Sequence, residues 1–177
     1  MSSDDALAEG DAVPGVSAPL VHPDGSVEET PLSDLYAERP VLLVFYTNDF
    51  SPDCVSEWCS FRDYAWFTSN DDVRVVGSSK SRASTHKRFI NYLDLEFPLY
   101  ADRDLDVSDA FGVTYRTFKV FPRSKRSVFL VDTDGVVRYR WVGEHPLDPT
   151  RDQPPLPEIR EAVEELVGGE TETFGFN

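Results

Sequence analysis

The stretch VLLVFYTNDFSPDCVSEWCSFRD, Val41 to Asp63, joins two elements of different period. Val41 to Tyr46 is apolar at every position, as expected of a strand covered on both faces in a parallel or mixed sheet. "SPD" then opens a helix. Ser51 can serve as N-cap, Pro52 fits the first helical position, and Asp53 suits the positive end of the helix dipole. The spacing predicts a helix to about Phe67, with Val55, Trp58, Cys59, Arg62, Ala65 and Trp66 along one side.

Working outward, "APLVHPDGSVEETPLSDL" reads as a hairpin turning at Asp24-Gly25. "VRVVGSS" reads as a strand, "RASTHKRFINYL" as a helix and "FPLYAD" as a short extended piece. A brief helix follows near "DLDVSDAFG". "SVFLVDTDGVVRYRWVG" is a hairpin turning at Asp134-Gly135. "PEIREAVEELVGG" is a closing amphipathic helix, with Ile159, Val163, Leu166 and Val167 inward and Gly168 past its end. Strands alternating with helices, then a hairpin, then a helix predict an α/β fold around a mixed sheet. A length of 177 residues suits one domain with a proper core. Residues 1–12 are read as a flexible acidic tail, 13–168 as the domain and 169–177 as a C-terminal tail.

Acidic residues number 32 against 17 basic ones, for a net charge of -15. Lysine supplies only Lys80, Lys87, Lys119 and Lys125 of the basic set. Such a chain is repelled by nucleic acid and by anionic membrane surfaces, which excludes both as partners. The acidity could mark a cationic partner or a hydrated surface suited to high salt, and the scatter of carboxylates from Asp4 to Glu172 favours the second. The N-terminus has neither the basic region nor the apolar run of a signal peptide, and no apolar run is long enough to span a membrane. The expected location is cytoplasmic. There, two cysteines are read as catalytic or redox-active rather than as a structural staple.

Those two are Cys54 and Cys59. With Ser51 as N-cap, Cys54 falls in the first helical turn, where free backbone N–H groups and the dipole favour a thiolate. Asp49 and Asp53 oppose that, so a cation from elsewhere is needed. Arg126 is well placed if the strand "SVFLVD" pairs beside Val41–Tyr46. On position alone, a reactive thiol and an ordinary small residue both remain open for Cys54. Five residues along an α-helix separate Cα atoms by about 8.7 Å, whereas a disulfide tolerates no more than about 7 Å. Cys54 and Cys59 therefore either never pair or pair only when the helix start unwinds. Cys59 lies on the apolar stripe beside Trp58 and Trp66, and on position alone a buried core thiol is the favoured reading.

At this point the stretch resembles the peroxiredoxin family, of the AhpC/TSA type. "TNDFSPDC", Thr47 to Cys54, is similar to the family pattern P-x-x-x-[TS]-x-x-C. "DFSPDC" followed by "EWCSFRD" looks like the Q-type, or bacterioferritin-comigratory, branch. "SSKSRASTHKRF", "FPLYAD" and "KRSVFLVDTDGVVRY" extend the resemblance from about Val16 to Val167. It implies a thioredoxin-like mixed sheet flanked by helices, with an N-terminal β-hairpin extension. It also implies a thiol-dependent peroxidase acting on hydrogen peroxide or organic hydroperoxides. Cys54 would be the peroxidatic thiolate, and Cys59 the resolving thiol reached by local unwinding. Ser51 would hydrogen-bond the peroxide. Arg126 would stabilise the thiolate and the leaving oxygen, and Glu57 would orient Arg126. Thr47 stands where the family has the proline that shields the sulfur, a departure that bears on peroxide affinity and rate.

The implied electron donor is a dithiol, a thioredoxin-like protein by family default, and the chain would be a monomer or a homodimer. No cofactor and no metal are called for. His22, His86 and His145 lack zinc-ligand spacing, "DTDG" reads as a hairpin turn, and "DRDLDVSD" as a solvated acidic loop. "RSKR", near Arg123, reads as a solvated loop leading to Arg126. Two other functions compete: a protein thiol–disulfide oxidoreductase, disfavoured by the absence of C-x-x-C, and a peroxide sensor on the same fold.

Overall fold

Val41 to Phe45 form a strand buried along its whole length, and the alternation of its side chains explains why no position in it is polar. Leu42, Val44 and the following Tyr46 enter one core; Val41, Leu43 and Phe45 enter another on the opposite face of the sheet. The computed structural model describes residues 6–46, 49–50, 52–64, 72–117, 121–143 and 154–175. In chain order its strands are β1 (Ser17–Val21), β2 (Val27–Pro31), β3 (Val41–Phe45), β4 (Arg74–Ser79), β5 (Leu99–Ala101), β6 (Thr114–Thr117), β7 (Phe121–Ser124), β8 (Ser127–Val131) and β9 (Val137–Val142). The helices are α1 (Leu32–Tyr36), α2 (Pro52–Asp63), α3 (Ala83–Leu93), α4 (Asp106–Phe111) and α5 (Leu156–Gly175).

Seven strands form one mixed sheet in the order β2-β1-β5-β4-β3-β8-β9. β3, β4 and β5 run parallel, while β8 lies antiparallel to β3 and β9 to β8. The N-terminal β1–β2 hairpin turns at Asp24-Gly25, as expected, and joins the sheet through β1 beside β5. On one face Trp58 and Phe61 of α2, Phe89, Ile90 and Leu93 of α3, and Ile159 and Val163 of α5 close the core. On the other face Leu32 and Leu35 of α1 and Val107 and Phe111 of α4 do so. The Asp134-Gly135 turn is built as read. Asp132 Oδ1 accepts from the Asp134 and Val136 amides at 2.9 and 3.0 Å, and Gly135 takes φ 79°.

Four expectations are corrected. α5 continues through Gly168 to Gly175 instead of stopping before Gly168, because glycine weakens a helix by about 1 kcal/mol without forbidding it. "LSDL" is not strand but most of α1, too short for a helical period to show. "RSKR" is not a solvated loop: it spans the end of β7 and the approach to β8, and Ser124 and Lys125 are buried. The hairpin β6–β7 was not foreseen. Asp102, read as part of a solvated acidic loop, is buried and accepts from the Val107 and Ser108 amides at 3.0 and 2.9 Å, capping α4. Burial pushes its carboxyl up, against those hydrogen bonds. Among the described residues no helix is long and apolar enough to cross a membrane. The expected helix beyond Tyr64 falls on 65–70, outside the described residues.

Candidate active site

The antiparallel pairing of β3 with β8 sets Phe45 opposite Ser127. Arg126 immediately precedes β8, so the pairing carries it to the point where β3 hands over to α2. Cys54, in the first turn of α2, is fully buried there. Arg126 Nη2 donates to Cys54 Sγ at 3.5 Å, and Arg126 Nη1 donates to Glu57 Oε1 in a buried ion pair. Glu57 is three residues beyond Cys54, hence on the same side of the helix. The three groups form one cluster, and Arg126 is 1% exposed within it.

The electrostatics follow from that enclosure. Burial raises the Glu57 carboxyl to about 7, with the Arg126 charge and hydrogen bond pulling the other way. Burial alone would lower Arg126, but the Glu57 and Cys54 charges prevail and hold it above its ordinary value. Arg126, beside Cys54, is thus held in place by Glu57 one turn along the helix.

Cys59 lies in the same helix, half-buried against the same core. No disulfide joins Cys54 and Cys59, and the unbroken helix Pro52–Asp63 keeps them apart. The structure therefore unites Cys54, Glu57 and Arg126, with Cys59 on the same element. Ser51 and Thr47 lie outside the described residues.

One part of the surroundings escaped the sequence reading. Asp49, expected to repel a Cys54 thiolate, turns its carboxylate to other partners. Oδ1 accepts from the Tyr46 hydroxyl at 2.6 Å and Oδ2 lies 2.7 Å from His86 Nδ1. His86 Nε2 lies 2.9 Å from the Tyr100 carbonyl oxygen. Tyr46, His86 and Tyr100 are fully buried and Asp49 nearly so. Burial, then the Asp49 charge, hold the Tyr46 hydroxyl well above the ordinary phenol range, so it stays a donor. A signal was present in the sequence: His86 shares its helical face with Phe89, Ile90 and Leu93, which marks a core histidine in want of polar partners.

A fold that presents a buried cysteine at the start of the helix after the central strand, beside an arginine from the antiparallel neighbour, defines a class. The chain belongs to the AhpC/TSA family, which it matches over residues 10–140, and is a thiol-dependent peroxidase. It is 32% identical to peroxiredoxin Bcp of Escherichia coli over 136 residues, 75% of this chain and 84% of that one. It is 30% identical to peroxiredoxin Bcp of Bacillus subtilis over 131 residues, 72% and 83% of the two chains. The crystal structure of peroxidoxin BcpB from Mycobacterium tuberculosis superposes with a TM-score of 0.72 at 26% identity, covering 92% of this chain and 97% of that one. The reduced 2-Cys peroxiredoxin of Plasmodium vivax gives 0.78 at 22% identity, with 93% and 99% covered. The fold is thioredoxin-like.

Proposed function

We propose that Cys54 is the peroxidatic residue and Cys59 its resolving partner. The reading is carried by the single contact of Arg126 Nη2 with Cys54 Sγ at 3.5 Å, in a cluster where Glu57 holds the guanidinium. The Cys54 thiolate attacks the terminal oxygen of a hydroperoxide. An S–O bond forms, the O–O bond breaks, and the leaving alkoxide or hydroxide takes up a proton to become alcohol or water. Cys54 is then a sulfenic acid. Arg126 offers charge and N–H donors where negative charge passes from sulfur to the leaving oxygen. Ser51 supplies a hydroxyl to the peroxide, and Thr47 takes the place of the shielding proline.

In the second step the Cys59 sulfur attacks the Cys54 sulfenic sulfur, forming the disulfide and releasing water. That step requires the first turns of α2 to open, since the intact helix holds the sulfurs too far apart. A dithiol protein of thioredoxin type then returns both thiols and becomes a disulfide itself. The acidic composition supports a cytoplasmic setting of high ionic strength.

The assignment of Cys54 is tested by trapping. The Cys59→Ser variant is treated with one equivalent of hydrogen peroxide in the presence of a 1,3-dione, and the adduct is mapped by peptide mass. The expected adduct is on Cys54 alone. Oxidation that leaves Cys54 unlabelled would remove it from the role.

A further inference from the structure

The Tyr46–Asp49–His86 cluster plays no part in the chemistry above, yet Asp49 lies in the short connection between β3 and α2 that delivers Cys54. Its side-chain partners come from two parts of the fold. Tyr46 directly follows β3, and His86 belongs to α3 and is itself held by the carbonyl of Tyr100 in β5. The Asp49 amide adds a third tie, donating to Ser81 Oγ at 3.0 Å. The next residue, Phe50, takes φ 65°, a left-handed conformation unfavourable for an aromatic residue, while its ring packs on Phe89 and Tyr92. The connection is thus pinned at Asp49 and strained at Phe50, immediately before the helix that must open.

The hydrogens can be counted. The Tyr100 carbonyl only accepts, so His86 Nε2 carries a hydrogen. Nδ1 faces a carboxylate oxygen at 2.7 Å, so a second hydrogen lies between them. The Tyr46 hydrogen is spent on Oδ1. Both ring nitrogens of His86 and both carboxylate oxygens of Asp49 are thus engaged within the cluster.

We propose that Tyr46, Asp49 and His86 form a latch on the connection before Cys54. The latch sets the balance between the helical, peroxide-reactive form and the opened, disulfide-forming form. The inference rests on the roles given above to Cys54 and Cys59. Asp49 and His86 are positioning residues. Closed, the latch keeps the start of α2 beside Arg126. Released, it lets the strain at Phe50 relax and frees Cys54 to reach Cys59.

Loss of the latch must therefore move two rates in opposite directions, which general destabilisation of the active site would not do. Asp49→Ala is compared with wild type for sulfenic acid formation, measured in the Cys59→Ser background, and for disulfide formation with Cys59 present. The expected result is peroxide reaction slower by about tenfold and disulfide formation faster by about tenfold, the scale of losing one charge-assisted buried hydrogen bond. Asp49→Asn should restore both rates. Its amide can donate to Nδ1 of His86 while its oxygen still accepts from Tyr46, which keeps both bonds. Ser81→Ala, which removes only the acceptor of the Asp49 amide, should give the same pair of shifts at smaller size and covers the case in which Asp49→Ala does not fold.

Rates that fall together, or that do not change in either variant, would overturn the latch. Amide hydrogen exchange over residues 54–58 of the reduced protein reads the latch without peroxide. Faster exchange in Asp49→Ala and Ser81→Ala than in wild type is expected even if wild type fails to react with peroxide. In that case the peroxidase reading fails, while the hold of Asp49 on the start of α2 stands. Unchanged exchange overturns the latch alone.

Discussion

Glu57 is wholly buried with one oxygen on Arg126, and burial raises its carboxyl to about 7 from an ordinary 4.5. The folded state therefore holds this proton more tightly than the unfolded chain does. Its contribution to stability is complete below pH 4.5 and is lost as pH rises toward 7. Urea unfolding at pH 5 and pH 8 should show wild type losing on the order of 2–3 kcal/mol more than Glu57→Gln across that interval. Equal pH dependence in the two proteins would show that Glu57 is ionised in both states. At this scale the sequence carried far. Arg126 could be placed beside Cys54 from strand pairing, whereas Glu57 was picked out only through the family resemblance. His86 was missed because it was weighed as a metal ligand and not as a polar group on an apolar helix face. Asp49 was misjudged because its charge was counted before its partner was known.

At the scale of elements, α2 is held on the sheet chiefly by Trp58, whose ring lies against Tyr46 with centroids 5.5 Å apart and over the backbone of Gly77 in β4. A Cβ at Gly77 would stand 2.5 Å from both Trp58 Cζ2 and Leu99 Cδ2. Only glycine lets the helix sit this close. Gly77→Ala should cost about 1–3 kcal/mol in urea unfolding, the usual penalty of overpacking. It should also slow the reaction of Cys54 with peroxide, because α2 is pushed away from Arg126. Wild-type stability in this variant would mean that Trp58 does not set the height of α2. β3 was legible because a strand covered on both faces cannot afford a polar residue. The end of α5 was not, since two glycines only lower helix propensity and the rest of the segment outweighs them. α1 and the hairpin β6–β7 were lost to their shortness, which leaves periodicity nothing to act on.

For the whole molecule, the net charge of -15 acts on folding as self-repulsion. Exposed pairs such as Arg74–Glu38 and Arg160–Glu164 are each worth under about 1 kcal/mol and do not offset it. Salt shortens the Debye length from about 10 Å at 0.1 M to about 3 Å at 1 M. Thermal unfolding in 0.1 M and 2 M KCl should therefore give a higher Tm in the concentrated salt, at about 2–4 °C per kcal/mol gained. A lower Tm in 2 M KCl would mean that ion pairs outweigh repulsion. Charge and a mixed sheet could be read from composition and element order. The docking of the N-terminal hairpin on β5 could not, because Leu20 and Tyr100 are brought together only by the assembled sheet.

All three scales meet in the proposed passage from a helical Cys54 to a disulfide with Cys59, and Trp58 in α2 can report it. Reduced wild type, Cys54→Ser and Cys59→Ser should be mixed with hydrogen peroxide in molar salt and followed by stopped-flow tryptophan fluorescence. A peroxide-dependent phase absent from Cys54→Ser, followed by a peroxide-independent phase absent from Cys59→Ser, is expected. A peroxide-dependent phase that survives in Cys54→Ser, or a second phase that survives in Cys59→Ser, would contradict the two-cysteine cycle.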